Sequence, residues 1–300
     1  MTRDSALVAF GSFARGDSDS LSDRDILIVS DDAKVRSSLR FRLERQGWSC
    51  IPYSWKRLAA LAEAGSLFAH HLRLESRPII DPQNRYAECV QGSIIRSRYN
   101  DSAEAARTLF RLLSFVPSDP IGLHWAADVM AVAIRSVLVA HFADSGEFLF
   151  DQQSLAREAQ RHGLLKSSGY EVLADLRRAK RQFRNGDFTR FQERDFQNWV
   201  RELTGVIAAD PPLSRVPSHL IFGEIMSSQS GAEWYYISRL VEALALTSTP
   251  HPRWIHEHTT VRQELLIRAR APTDYGWWFN GQLDEVRALV SEIANLSTMR

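Results

Sequence analysis

Residues 10–29 read FGSFARGDSDSLSDRDILIV, and this stretch decides the fold of the first part of the chain. An apolar run over Ala6–Phe10 stops at a glycine, and a second apolar run over 26–29 follows a polar segment rich in Gly, Ser and Asp. Short apolar runs bounded by turn residues are typical of buried β-strands. The stretch therefore predicts a strand, a Gly-Ser turn, a polar loop and a second strand whose first residues are Asp23 and Asp25.

These two acids are the first candidates for chemistry. Side chains alternate along a strand, so Asp23 and Asp25 are expected on one face, about 7 Å apart along the backbone. A pair of carboxylates on one face favours Mg²⁺, which accepts few protein ligands when substrate phosphates complete its shell. Upstream, Gly11 and Ser12 let backbone N–H groups and a hydroxyl approach a phosphate, and Arg15 adds positive charge. A simpler interpretation, a pair of acids that keeps a hairpin edge soluble, stays open at this point.

The same residues resemble a known family. The string GSFARGDSDSLSDRDILIV is similar to the G-S-x-A-R-G and S-D-x-D signature of the DNA polymerase β superfamily of nucleotidyltransferases, especially its minimal and aminoglycoside-modifying types. The resemblance implies a small palm-like mixed sheet in which Asp23 and Asp25 are catalytic and bind two Mg²⁺ ions. It also implies a nucleotide-binding set that comprises Gly11, Ser12, Arg15 and Ser22.

The reaction implied by this resemblance is transfer of an NMP from an NTP to an acceptor hydroxyl, with release of pyrophosphate. The acceptor is a small molecule, a protein or RNA. The alternative is a catalytically impaired nucleotide-binding or regulatory module that keeps the fold and acts through partner binding.

The chain departs from the family at the third acid, which the family usually places on a neighbouring strand. The predicted third strand, 48–53, contains no acid. Ser49 and Cys50 stand in its place, and neither is a strong Mg²⁺ ligand or a base at neutral pH. Residues that would replace the acid from elsewhere are Glu63, Glu75, Asp81, His70 and His71. We expect surface ion pairs for the three acids, and one packed and one exposed histidine.

Composition limits the classes that the whole chain can belong to. Its 300 residues are 44% apolar and 24% charged, which excludes a disordered or collagen-like chain. The net charge of +1 provides no global attraction to nucleic acid or to an anionic membrane. Because Cys50 and Cys89 are the only cysteines and no secretion signal or long apolar span is evident, we expect a cytoplasmic protein without a membrane partner. Homo-oligomerisation stays open.

Beyond the first strands the hydrophobic period lengthens toward 3.6, which predicts helices. These helices are predicted at 33–46, 101–116, 121–143, 151–162, 168–185, 189–207, 231–247 and 281–297. The Asp-Pro-Pro sequence at 210–212 is the clearest linker. We therefore predict an α+β protein with a nucleotidyltransferase-like domain at 1–97, a helical bundle at 98–210 and an aromatic-rich, mainly helical segment at 211–300.

A second motif lies in the apolar stretch 121–142, which is predicted to be the buried central helix. Arg135 and His141 are six residues apart, which resembles the R-x₄₋₆-H motif of HEPN-type ribonucleases, whose bundles often accompany nucleotidyltransferase domains. In a straight helix the two side chains would be about 120° apart and would converge poorly. We therefore predict a HEPN-like or aminoglycoside-transferase-like bundle, and no ribonuclease activity.

Overall fold

The computed structural model describes residues 4–118, 121–185, 192–203, 205–207, 213–227 and 234–247. The chain divides into two compact units. The first unit comprises Met1–Asn100 and Val139–Leu155, and the second comprises Asp101–Leu138 and Ala156–Arg300. A segment from the middle of the chain thus belongs to the N-terminal unit.

A four-stranded mixed sheet forms the centre of the first unit. Its strands are β1 (Ala6–Phe10), β2 (Asp25–Val29), β3 (Ser49–Tyr53) and β4 (Ser76–Ile80). They lie in the order β3-β2-β1-β4, with β1 antiparallel to both β2 and β4 and with β2 parallel to β3. Phe10 pairs with Asp25 on one side and with Ser76 on the other, and Asp25 pairs in turn with Ser49. One row across the sheet therefore joins all four strands where β1 ends.

Five helices accompany this sheet. They are α1 (Ser12–Arg15), α2 (Ala33–Glu44), α3 (Trp55–Glu63), α4 (Leu67–Glu75) and α5 (Arg85–Gln91). The side chains of Asp32, Ser54 and Ser66 accept backbone N–H bonds at the starts of α2, α3 and α4, as N-cap residues do. Gly65 separates α3 from α4, and a Cβ there would lie 2.4 Å from the carbonyl oxygen of Ile94, so this turn requires glycine.

The two faces of the sheet are covered by different helices. The face covered by α2 carries Leu7, Ile26, Ile28 and Cys50, packed with Leu39 and Leu43. The face covered by α3, α4 and α5 carries Val8, Phe10, Leu27 and Val29, packed with Leu58, Leu61, Phe68, Leu72 and Tyr86. Because side chains alternate along β2, Asp25 starts on the same face as Leu27 and Val29. The strand register thus directs Asp25 toward the face that α4 covers.

The second unit is mainly helical. Three helices, α6 (Asn100–Thr108), α7 (Gly122–Asp144) and α8 (Gln152–Arg161), cross a boundary between the two units. The elements that lie wholly in the second unit are β5 (Val116–Pro117), α9 (Gly169–Asn185), α10 (Glu193–Glu202), β6 (Arg215–Val216), α11 (Ser218–Ser227) and α12 (Trp234–Thr247). The short strands β5 and β6 pair in parallel.

A buried ionic cluster connects three helices of the second unit. Asp128 on α7 contacts Arg184 on α9 at 3.0 Å and Arg239 on α12 at 2.6 Å, and Arg239 also contacts Glu242 at 2.6 Å. Asp128 is fully buried. Burial opposes its ionisation, but the two guanidinium groups outweigh burial and lower its pKa to about 2. We call these four residues the buried ionic cluster.

The segment Val139–Leu155 packs within the first unit. Asp144, at the end of α7, accepts the backbone N–H of Tyr99 at 2.6 Å. Phe148 then packs on the rings of Tyr99 and His70, with centroid distances of 5.7 and 4.4 Å. Long-range aromatic contacts therefore fix this segment against α4.

Helix α7 agrees to within one residue at each end with the helix predicted at 121–143. It has 23 residues and, among the described residues, is the one helix that is long and apolar enough to cross a membrane, with a mean hydropathy of 1.6 in its most apolar window. In the structure 72% of that window is buried, which is also typical of the core helix of a globular protein. The expectation that the chain contains no long apolar span is therefore wrong for α7, and its placement as a buried helix is as predicted.

The mixed α+β architecture predicted from the sequence is confirmed. Strand β2 begins at Asp25, so the prediction that it begins at Asp23 is wrong, because its pairing with β1 ends at Phe10. Strand β4 was not predicted, since it is a largely exposed edge strand that contains Pro78.

Several helix boundaries also differ from their predictions. The helix predicted at 101–116 ends at Thr108 and continues as a 3₁₀ turn, Leu109–Phe115. The helix predicted at 189–207 is the shorter α10. The linker at 210–212, the aromatic cluster at 275–279 and the helix predicted at 281–297 lie outside the described residues.

Candidate active site

The turn that follows β1 brings Gly11 beside two polar side chains. Its φ of 69° and ψ of −152° belong to a region that residues with a side chain rarely adopt. A Cβ at this position would lie 3.6 Å from Asp25 Oδ2 and 3.9 Å from His71 Nε2. The Gly11 N–H donates to the carbonyl oxygen of Glu75 at 2.9 Å. The absence of a side chain thus leaves room between a carboxylate, an imidazole and the end of α4.

Asp23 and Asp25 stand on either side of Arg24, whose guanidinium packs on two aromatic rings. Arg24 places its guanidinium carbon 4.3 Å from the centre of the Trp48 ring and 5.4 Å from that of Phe13. Trp48 packs with the core on the α2 face of the sheet. Asp25 begins β2, and strand alternation places it on the opposite face, which α4 covers, whereas Asp23 precedes the strand. Both are half-buried.

Glu75 adds a third acid, whose backbone carbonyl accepts the Gly11 N–H and whose carboxylate contacts His71. It is the last residue of α4, which runs directly into β4, and β4 pairs with β1. Its Oε2 lies 3.1 Å from His71 Nε2 and also contacts the guanidinium of Arg15. Only 11% of its side chain is exposed. This acid is therefore held by two donors from different helices.

The other two acids considered as replacements have separate surroundings. Glu63 is exposed at the end of α3. Asp81 accepts the backbone N–H groups of Tyr86 and Ala87 at 2.8 and 3.0 Å, which fixes the start of α5. Of the three acids, only Glu75 lies against Gly11.

The prediction that one of the paired histidines is exposed is wrong. His70 and His71 are 0% and 6% exposed, because the segment Val139–Leu155 covers α4 with aromatic rings. His70 Nε2 lies 2.7 Å from the hydroxyl of Tyr99. Burial, with help from Arg73, lowers the pKa of His70 to about 4, so this imidazole is neutral near pH 7. His70 serves packing, whereas His71 faces the candidate site.

The remaining nucleotide-binding candidates lie in and after the turn. Ser12 begins α1 beside Gly11 and is half-buried. Arg15 contacts both Asp17, at 3.0 Å, and Glu75. Ser22 exchanges hydrogen bonds with Asp19, whose N–H and carboxylate it contacts at 3.0 and 2.9 Å. These bonds fold the loop that leads to Asp23, which is the role expected of polar turn residues.

Strand β3 supplies no acid to this row of the sheet. Ser49 is exposed and stands directly opposite Asp25. Cys50 is on the α2 face, where burial, followed by the charge of Glu44, raises its thiol pKa to about 11. This thiol is therefore protonated at neutral pH and cannot act as a base there.

A divalent metal fits the two aspartates if phosphate and water oxygens complete its coordination shell. Among the described residues no group of three or more His, Cys, Asp and Glu side chains is arranged to hold a metal ion. Asp23 and Asp25 offer a two-carboxylate donor set, and Gly11 leaves space beside Asp25. Mg²⁺ accepts such sparse protein ligation when substrate phosphates and water provide the other oxygens. The site therefore fits an ion that binds together with a nucleotide.

Comparison with known proteins agrees with this geometry. The family model described as nucleotidyltransferase domain matches residues 2–63, the segment that contains β1, the Gly11 turn, β2 and β3. The match is consistent with a nucleotidyltransferase of the polymerase β superfamily, so the predicted resemblance is confirmed for this segment. Searches of curated proteins and of solved structures gave no match.

The HEPN-like bundle stays a prediction. Arg135 is half-buried, and His141 is exposed. The family match does not extend to either residue.

Proposed function

We propose that this protein is an Mg²⁺-dependent nucleotidyltransferase that moves an NMP from an NTP to an acceptor hydroxyl. Its nucleotidyltransferase domain supports nucleotidyl transfer as the general reaction. The observation that carries the proposal is the geometry at Gly11, whose positive φ favours glycine and where an added Cβ would lie 3.6 Å from Asp25 Oδ2 and 3.9 Å from Nε2 of His71, the partner of Glu75.

Each element of the site has a distinct task in this proposal. The nucleotide phosphates are received by the hydroxyl of Ser12 and the guanidinium of Arg15, and the absence of a side chain at Gly11 lets a phosphate approach the turn. Asp23 and Asp25 hold the divalent ions, which neutralise phosphate charge when bound. Ser22 shapes the loop just before these acids through its bonds with Asp19.

Glu75 is our choice for the group that takes the proton of the acceptor. The acceptor oxygen forms a bond to the α-phosphorus, the bond from that phosphorus to the pyrophosphate oxygen breaks, and the hydroxyl proton passes to Glu75. General-base catalysis of this kind contributes about 10²- to 10⁴-fold in rate. Glu75 contacts Arg15 in the nucleotide-free chain. A nucleotide phosphate that draws Arg15 away would leave an oxygen of Glu75 open to the acceptor.

The catalytically impaired module is the less favoured alternative. It was motivated by the missing acid on β3, and Glu75 offers a carboxylate from the opposite neighbour of β1. The acceptor remains one of three classes: a small molecule, a protein or RNA. A cytoplasmic location is a further expectation of the sequence that enters this proposal unchanged, and homo-oligomerisation stays open.

The experiment is incubation with each labelled NTP, Mg²⁺ and candidate acceptors, beside an Asp23→Ala/Asp25→Ala control. We expect label transfer that requires Mg²⁺ and is lost in the control. Calorimetry with Mg·NTP separates the two functions, because an impaired module would bind nucleotide without transferring it. Transfer that persists in the double variant would contradict the assignment of the two aspartates.

A further inference from the structure

The imidazole of His71 is held by aromatic rings from three parts of the first unit. It stacks on Phe150, with ring centroids 4.7 Å apart and planes inclined by 18°. Phe10 of β1 meets it edge-on at 5.6 Å, and Phe68 of α4 does so at 6.4 Å. The ring is 6% exposed. These contacts fix the plane of the imidazole and the direction of its Nε2.

That direction is toward the candidate active site. His71 Nε2 lies 3.1 Å from Glu75 Oε2 and 3.9 Å from the position of a Cβ on Gly11. An ionised carboxylate accepts hydrogen bonds only, so Nε2 carries the proton and donates to Glu75. The guanidinium of Arg15 contacts the same carboxylate oxygen.

We propose that His71 is a positioning residue that holds the Glu75 carboxylate against the Gly11 turn, and that Phe150 fixes the imidazole for this purpose. The inference rests on the proposed function, in which Glu75 receives the acceptor proton. A glutamate side chain has three rotatable bonds, so one contact to Arg15 leaves its carboxylate free to turn. A second donor with a fixed direction determines where its oxygens lie. When a phosphate draws Arg15 away, His71 is the donor that keeps Glu75 in place.

Phe150 belongs to the segment Val139–Leu155, and its contact with His71 suggests what this segment does for the site. Phe150 follows α7 by six residues and lies in the same unit as the sheet. Aromatic stacking adds about 0.5–1.5 kcal/mol to a contact of this kind, enough to favour one ring orientation. The segment Val139–Leu155 thus supports the site by packing on the back of His71.

The first test compares His71→Leu with His71→Gln. Leucine removes the donor, and we expect kcat per folded molecule to fall about 10- to 100-fold, as for other partners that orient a functional ligand, with KM for the NTP nearly unchanged. Glutamine keeps an N–H donor near Nε2 and should restore most of kcat. Phe150→Leu should give an intermediate loss of kcat. The matched control is His70→Leu on the same helix, which should reduce stability without reducing kcat per folded molecule.

A second measurement does not depend on activity. The ¹⁵N resonance of His71 Nε2 should shift in Glu75→Gln, and Mg·NTP affinity of His71→Leu should stay within about twofold of wild type, since other groups bind the phosphates. An unchanged Nε2 resonance in Glu75→Gln would overturn the proposal, as would equal kcat values for wild type and His71→Leu. If the wild-type chain transfers no NMP and its Nε2 resonance still shifts, the proposed function fails while the His71–Glu75 contact holds.

Discussion

Two clusters of charged side chains in this molecule differ in what surrounds them. In the N-terminal unit, Asp25 and Glu75 are partly exposed near Gly11. In the second unit, the buried ionic cluster of Asp128, Arg184, Arg239 and Glu242 connects helices, with Asp128 fully buried. Both clusters pair acids with arginines. The carboxylates of Asp25 and Glu75 are partly exposed, whereas Asp128 is fully buried.

This difference separates a site for chemistry from a support for packing. Charges buried and paired within a fold are costly to separate, so their removal should lower stability. Carboxylates beside an open position can exchange partners with a ligand, so their removal should lower activity instead. The contrast predicts opposite outcomes for similar substitutions in the two clusters.

The largest effect is expected for Asp25→Asn. This change removes a charge that the proposed ions need, and we expect NMP transfer to fall by about 10³-fold, the size seen when one transition-state contact is lost. The free energy of unfolding should change by less than about 0.5 kcal/mol, because the residue is outside the packed core. Initial rates and urea unfolding measure the two quantities. Glu63→Gln, an exposed acid of the same unit, is the control and should keep full activity; equal rates for both variants would break the comparison.

The matching change in the second unit is Arg239→Met. It leaves Asp128 and Glu242 buried with less compensation, and removal of one partner of a buried pair costs about 3–5 kcal/mol. Urea unfolding measures the loss, and transfer per folded molecule should be unchanged. The control is Arg178→Met, whose ion pair with Asp175 is exposed and is worth less than about 1 kcal/mol. If Arg239→Met lowers the free energy of unfolding by less than about 1 kcal/mol, the buried ionic cluster does not support packing.

A smaller effect on the free energy of unfolding is expected when the pH is lowered. Burial lowers the pKa of His70 to about 4 in the folded chain, against an ordinary value near 6.5, so the unfolded chain binds the proton first as the pH falls. The stability that neutral His70 contributes is fully present above about pH 6.5, and it is lost progressively as the pH falls to about 4. We expect about 2 kcal/mol less stability at pH 5 than at pH 7 from this residue. Urea unfolding of wild type and His70→Gln at the two pH values measures it, and an equal pH dependence in both chains would exclude His70 as the cause.

The smallest effect concerns Arg24, between the two aspartates in sequence. Its guanidinium stacks on Trp48 on the other face of the sheet, so Arg24→Met should cost about 0.5–1 kcal/mol of stability. Mg·NTP affinity should stay within about twofold, because the guanidinium packs on Trp48 and Phe13 and is not among the groups proposed to bind the phosphates. Calorimetry would contradict this placement if the affinity fell tenfold or more.

Much of the candidate site follows from local rules. A glycine at the end of β1, a polar loop and an Asp-x-Asp sequence define a turn and one face of a strand, and these are properties of neighbouring residues. The same rules identify the α2-facing side of β3, where Cys50 lies. They missed β4, because an edge strand with a proline and exposed side chains lacks the usual hydrophobic pattern.

The sequence by itself determined the order of the motif and the absence of an acid on β3. It also predicted that Asp23 and Asp25 share one face, which strand alternation supports for Asp25 alone because β2 begins there. Only the tertiary structure decided that Glu75, rather than Glu63 or Asp81, stands beside Gly11, because the pairing of β4 with β1 joins residues about sixty positions apart. It likewise decided that His71 is buried, because Phe150 comes from a segment that lies much later in the chain. Strand alternation and turn chemistry are local, whereas proximity between distant residues depends on which strands pair and which segments pack.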